Sequence, residues 1–153
     1  MYASVPNYAA FDLVVIAASQ GGLAAYQRIL AALPAEFPAA VVVLQHRAVR
    51  QRDVLGRLLA RGTGLVVEPA QAGARPQPGA LYVAPADRQL LLTPEGHFVL
   101  ADPKGAWPLA DPLLASAAAA SGARMIAVVV SGRLHDGASG VQAVKRAGGR
   151  VLV

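Results

Sequence analysis

Three side chains able to run nucleophilic acyl transfer stand just beyond three apolar runs. "DLVVIAASQGG" breaks off at Ser19, "VVVLQHR" reaches His46, and "MIAVVVSGRLHDG" opens into a loop carrying His135 and Asp136. Serine is a poor nucleophile until an imidazole takes its proton, and an aspartate then fixes the imidazole tautomer and stabilises the imidazolium. Each residue alone has an ordinary explanation. A serine before a helix caps it, a histidine at a strand end is simply exposed, and Asp-Gly makes a turn. Their shared placement at strand ends is what argues for chemistry. Around Ser19, the small residues Ala17, Ala18, Gly21 and Gly22 leave room for a substrate. A helix beginning near Gly22 would aim backbone N–H groups of Gln20, Gly21 and Gly22 at the same space, where they could hold an oxyanion. "ASQGGL" matches neither the P-loop nor G-x-G-x-x-G, so nucleotide binding is the weaker reading.

The elements that must position these residues follow from the hydrophobic pattern. Residues 12–16 and 40–45 and "MIAVVV" at 125–130 are continuous apolar runs, the pattern of strands buried on both faces. Leu23, Tyr26, Leu30 and Leu33 recur at helical spacing over 22–33, ended by Pro34 and Pro38. Asp53 is placed to cap a helix in which Val54, Leu55, Leu58 and Leu59 share a face. "LVVEPA" and residues 81–84 read as short strands. "RQLLLTPEGHFVLAD" reads as a hairpin around Pro94–Gly96. Asp111 and Pro112 open a helix that runs to Gly122. Residues 138–147 form another, with Val141 and Val144 inward, before a last strand at "RVLV". Alternation of strands and helices predicts an α/β fold: a doubly wound, mostly parallel sheet in a Rossmann-like three-layer arrangement, with an antiparallel hairpin added. In such a sheet, ligands bind beyond the carboxyl ends of the strands, which gathers Ser19, His46 and Asp136 into one crevice.

Composition limits the alternatives. The 153 residues suffice for one domain, 55% are hydrophobic and 15% charged, and there is no cysteine. Structural disulfides and thiolate metal sites are thereby excluded, which suits a reducing compartment. No metal or organic cofactor is called for. No apolar run is long enough for a membrane span, and "MYASVPNYAAFD" lacks the pattern of a secretory signal, so a soluble, cytoplasmic chain is expected. The net charge of +5 raises nucleic acid as a partner, but the few aromatics form no stacking pattern among the arginines, so none is expected. The arginine run Arg47, Arg50, Arg52, Arg57 and Arg61 reads as a solvated helix face, or as a surface that steers an acidic partner.

In combination, "VVIAASQGG", "VVVLQH", "GALYVAPADRQLLL" and "VVVSGRLHDGASGVQAVKRAGG" resemble the catalytic domain of the chemotaxis protein-glutamate methylesterases, the CheB type. The likeness runs from residue 12 nearly to the end. It implies a doubly wound α/β fold, a 12–153 catalytic domain after an extension at 1–11, and hydrolysis of glutamyl methyl esters with deamidation of glutamines on chemoreceptors. The family serine in I-G-A-S-T-G-G falls on Ser19, the histidine of its Q-H pair on His46, and the aspartate of T-G-M-G-N-D-G on Asp136. The family methionine whose backbone helps the oxyanion falls on Arg133. Ala17 and Gln20 depart from the pattern, as do Arg133–His135 and "WPLAD" at 107–111. The family's segment after the last strand is missing, so a C-terminal truncation is expected, as is the absence from this chain of a receiver domain for a phosphorylation switch. Two other readings stand beside this one. One is a non-catalytic domain of the same family that binds a receptor or signalling protein. The other is a generic α/β-hydrolase using Ser19, Asp111 and His135. Trp107 is expected at the rim of the site, and His97 in the hairpin carries no chemistry.

Overall fold

An apolar run with no polar face must be covered on both sides, and the middle of a parallel sheet provides that. In the computed structural model, which describes residues 11–19, 21–49, 53–105, 108–130 and 136–153, this is where the runs lie. Six strands form one parallel sheet: β1 (Leu13–Ala18), β2 (Ala40–Gln45), β3 (Val66–Pro69), β4 (Ala80–Val83), β7 (Met125–Val129) and β8 (Arg150–Leu152). Their order is β3-β4-β2-β1-β7-β8. The hairpin strands β5 (Gln89–Leu92) and β6 (Phe98–Ala101) pair antiparallel in a separate two-stranded sheet. The expected doubly wound sheet with an antiparallel hairpin is therefore the observed fold.

Alternate side chains of each central strand feed two cores. Val15, Ala17, Val42 and Leu44 face the hairpin and helices α3 (Ala110–Ser121) and α4 (Ala138–Arg146). Val14, Ile16, Val41 and Val43 face α1 (Leu23–Ala31) and α2 (Leu55–Ala60), where Tyr26, Leu30, Leu55 and Leu59 are buried. The period of two along a strand thus sorts the helices into two outer layers. Val54 does not join this packing. α2 begins one residue later, leaving Val54 44% exposed instead of on the inward face expected for it.

The register sets the crevice. Ala18 lies opposite Gln45, and Ala17 opposite Val129, so β1, β2 and β7 end side by side. Chain order reverses at β1: β2 lies on one side of it and β7 on the other. A crevice forms at such a reversal because the connections leave in opposite directions.

Candidate active site

β1 runs two residues beyond the strand expected at 12–16, so Ser19 follows it directly. The turn into α1 then needs its two glycines. Gly21 has φ of 94°, a region that L side chains avoid. A Cβ on Gly22 would lie 2.5 Å from the Ala18 Cβ, so only glycine lets α1 start this close to β1. The Gly22 N–H donates to the Ser19 carbonyl at 3.2 Å, closing the turn. That bond corrects one expectation: the Gly22 N–H is committed to the backbone and is not a donor for an oxyanion. Gln20 and Arg133, the flanking donors expected, lie outside the described residues. Tyr26 fastens α1 from below, donating its hydroxyl to the Leu44 carbonyl. Burial pushes the Tyr26 phenol well above its ordinary pKa, so it stays a neutral donor.

His46 continues the ladder past β2, its N–H donating to the Ala18 carbonyl at 3.3 Å. Its side chain points to the α3 layer, as Leu44 does two residues earlier. There Nε2 lies 3.0 Å from Asp136 Oδ2, with the two side chains only 8% and 9% exposed. The aspartate therefore faces Nε2, and Nδ1 is the ring nitrogen left for another partner.

Asp136 is held by a helix other than its own. Oδ2 accepts the Ala110 N–H at 2.7 Å and Oδ1 the Asp111 N–H at 2.9 Å. These are first-turn donors of α3, which have no partner within the helix. In return, Asp111 Oδ1 accepts the Gly140 N–H at 2.6 Å, in the first turn of α4. The two helices thus cap each other through paired aspartates. Gly140 permits the approach, since a Cβ there would sit 2.7 Å from the Leu114 Cβ. Buried Gln89 secures the entry to α3: its amide accepts from the Leu109 N–H at 2.8 Å and donates to the Leu109 carbonyl at 3.0 Å. Asp111 is therefore engaged with α4, and it is Asp136 that faces His46. This arrangement disfavours the generic hydrolase order through Asp111. His135, its proposed base, lies outside the described residues, as does Trp107.

Ser19, His46, Asp136 and Gly137 line one small cavity of about 10 Å³, floored by Ala17, Ala18 and Leu44. The three side chains singled out at separate strand ends are thus brought to one place. A larger groove of about 590 Å³ lies apart from them, between α2 and the ends of β3 and β4, lined by residues that include Val49, Asp53 and Arg57. Among the described residues, no three His, Asp or Glu side chains are grouped as metal ligands would be.

Sequence reasoning missed two supports. Gln89 was legible only as a polar residue opening an apolar strand. Arg47 reads in the sequence as part of a solvated arginine run, yet its side chain is only 15% exposed and bonded to Asp53. Asp53 also accepts the Leu55 N–H at 3.2 Å, as its expected capping role requires. Burial pushes the Asp53 carboxyl up, but hydrogen bonds and charge from Arg47, with the Leu55 N–H, outweigh burial and hold it below the usual range. Arg50 and Arg52 lie outside the described residues.

Comparison with known proteins agrees with this architecture. The family model described as CheB methylesterase matches residues 14–153. A protein-glutamate methylesterase/protein-glutamine glutaminase of Anaeromyxobacter dehalogenans is 41% identical over 154 residues, covering 98% of this chain and 45% of that protein. A protein of the same description from Myxococcus xanthus is 38% identical, covering 92% and 40%. The crystal structure of the Thermotoga maritima CheB methylesterase catalytic domain superposes with a TM-score of 0.86 at 33% identity, covering 92% of this chain and 78% of that one. The chain spans less than half the length of these two curated relatives.

Proposed function

The chain belongs to the CheB methylesterase family, and on that premise we propose that residues 12–153 form a serine hydrolase domain acting on chemoreceptors. It hydrolyses glutamyl methyl esters and deamidates glutamines, in the cytoplasm, as part of chemotaxis signalling. One observation carries the reading: Ser19, His46 and Asp136, from three different strand ends, line a single cavity with His46 Nε2 3.0 Å from Asp136 Oδ2.

Ser19 Oγ attacks the ester carbonyl as His46 Nδ1 takes its proton. Nδ1 is assigned because Nε2 faces Asp136. Asp136, fixed by two α3 N–H groups, stabilises the imidazolium that results. The tetrahedral oxyanion is held by backbone N–H groups of Gln20, Gly21 and Arg133. Collapse breaks the ester C–O bond and expels methanol, which carries away the proton from His46. Water then attacks the acyl-serine with His46 again as base, releasing the glutamate carboxylate and restoring Ser19. With a glutamine substrate the first leaving group is ammonia. The chemistry needs no metal or organic cofactor.

The partner is the acidic helical segment of a receptor. Arg57 on α2 and Arg61 just after it are available to steer it; Arg47 is withdrawn by Asp53. No helix among the described residues is long and apolar enough to cross a membrane. The test is release of methanol from methylated receptor by the purified chain, with Ser19→Ala as control. Hydrolysis that survives Ser19→Ala removes Ser19 from the mechanism. The departures at Ala17, Gln20 and Arg133–His135 favour, as a second reading, a domain that binds receptor without cleaving it. Binding without methanol release, also with any native C-terminal extension present, selects that reading.

A further inference from the structure

Asp136 restrains the His46 ring from one side, but the backbone carrying the ring needs its own anchor. β2 ends at Gln45, and the chain that follows has little core contact: Ala48 and Val49 are exposed, Val49 by 63%. The His46 N–H holds one ladder bond, to the Ala18 carbonyl at 3.3 Å, but the strand end beyond it needs a second tether if the ring is not to shift. Arg47 supplies the tether. Its Nη1 donates to the Gln45 carbonyl at 3.2 Å and its Nη2 to the Ala84 carbonyl at 2.8 Å. Its Nε reaches both Asp53 oxygens, at 3.0 and 3.1 Å, and Nη2 bonds Asp53 as well. One guanidinium therefore ties the end of β2, the end of β4 and the start of α2 together. Asp53 is itself fixed to α2 through the Leu55 N–H. Strand alternation sends the Arg47 side chain to the α2 layer while His46 points to the α3 layer, so the clamp grips the backbone from behind the imidazole.

We propose that Arg47, clamped by Asp53, is a positioning residue for His46, holding the backbone of residues 45–47 so that the imidazole stays between Asp136 and Ser19. The inference rests on the triad reading above. The requirement is for a planar fork and not for a positive charge alone. Three acceptors in different directions suit a guanidinium, whereas an ammonium on a flexible stem cannot bridge them together.

The experiment measures kcat and KM on methylated receptor for wild type, Arg47→Ala, Arg47→Lys, Asp53→Asn and the double variant. It also measures the rate at which a fluorophosphonate labels Ser19 and the folded fraction from thermal melts. Small displacements of a catalytic group cost up to about 100-fold in rate, so kcat of Arg47→Ala should fall about 10- to 100-fold while KM moves less than about 3-fold. Labelling of Ser19 should slow in parallel. Arg47→Lys should recover only part of the rate. The double variant should be no slower than Arg47→Ala, because the two side chains act as one unit. Should Arg47→Ala fail to fold, Arg47→Lys and Asp53→Asn carry the test. The inference is overturned by an unchanged kcat in folded Arg47→Ala, by a loss that matches its unfolded fraction, or by full recovery in Arg47→Lys. A wild type that neither hydrolyses ester nor reacts with fluorophosphonate defeats the triad reading, and the inference falls with it. An active wild type beside an equally active Arg47→Ala removes the inference alone.

Discussion

Asp136 and Asp53 flank the same two-residue step, His46–Arg47, from opposite layers of the molecule. Each stands at the start of a helix; Asp136 accepts two backbone N–H groups and Asp53 accepts that of Leu55. The difference lies in burial and partner. Asp136 is 9% exposed, is held by a neighbouring helix and faces an imidazole whose charge can change. Asp53 is 39% exposed and faces a guanidinium whose charge cannot. A carboxylate that must respond to a proton moving on and off its neighbour is best kept dry and fixed, so that no water reorganises with each transfer. A carboxylate that only anchors a backbone can stand in partial solvent, where its pair contributes little net energy but fixes direction. On the proposed triad reading, the pair of aspartates separates a chemical role from a mechanical one on either side of the His46–Arg47 step.

The comparison breaks first at the reacting end. Ser19→Ala should cost about 10⁴-fold or more in ester hydrolysis, since no other group described in the cavity can take its place. Asp136→Asn should cost nearly as much, about 10⁴-fold in kcat, because an amide cannot stabilise the imidazolium or keep the tautomer. It should also lower stability by about 1–3 kcal/mol, since an NH₂ would meet an α3 N–H that now finds an acceptor. Asp53→Asn should show neither loss at that scale. Equal losses for the two asparagine variants would erase the distinction drawn between them.

A smaller effect sharpens the dry side. Asp111→Ala removes the acceptor of the Gly140 N–H without touching the cavity. The expected cost is about 1 kcal/mol in urea unfolding, the usual scale of a lost cap, with activity reduced far less than by Asp136→Asn. Gly140→Ala should cost about 1–3 kcal/mol by overpacking, because its Cβ would meet Leu114 at 2.7 Å. If these variants abolish hydrolysis while remaining folded, the paired caps do more than hold two helices together.

Strand ends could be read from the chain because runs such as "VVVLQH" are apolar on both faces and stop abruptly at polar residues. That is enough to place Ser19, His46 and Asp136 at neighbouring strand ends from the sequence alone. The reciprocal caps were not legible. Asp111 and Asp136 each look like ordinary helix-start residues, and only the packing of α3 on α4 crosses their partners. Arg47 is hidden by its neighbours: among five arginines spread over residues 47–61, nothing local marks Arg47 as turned inward. Gly22 looks like an open N–H donor in the sequence because the pattern A-S-x-G-G fixes small residues without fixing which N–H closes the turn. Long-range hydrogen bonds, set by layer packing, are what hydrophobic periodicity leaves out.

The smallest effect concerns pH, and it tests the wet side of the comparison alone. Arg47 and the Leu55 N–H hold the Asp53 carboxyl below its ordinary range in the folded chain, against the pull of burial. A carboxyl whose folded pKa lies below its unfolded value contributes stability that is complete above the unfolded pKa, about 4 for aspartate, and fades as pH falls through the folded one. Because Asp53 is partly exposed, the contribution is modest and weakens with salt. Wild type should therefore exceed Asp53→Asn in urea unfolding at pH 7, and the gap should narrow as pH falls below the unfolded value and through the lowered folded one, where the wild-type carboxyl takes up its proton. Comparing the two chains at each pH removes the acid sensitivity they share through every other carboxylate. A gap that stays constant from neutral to acid would mean that Asp53 acts by shape alone, and that the charge on Arg47 has no part in holding the chain behind His46.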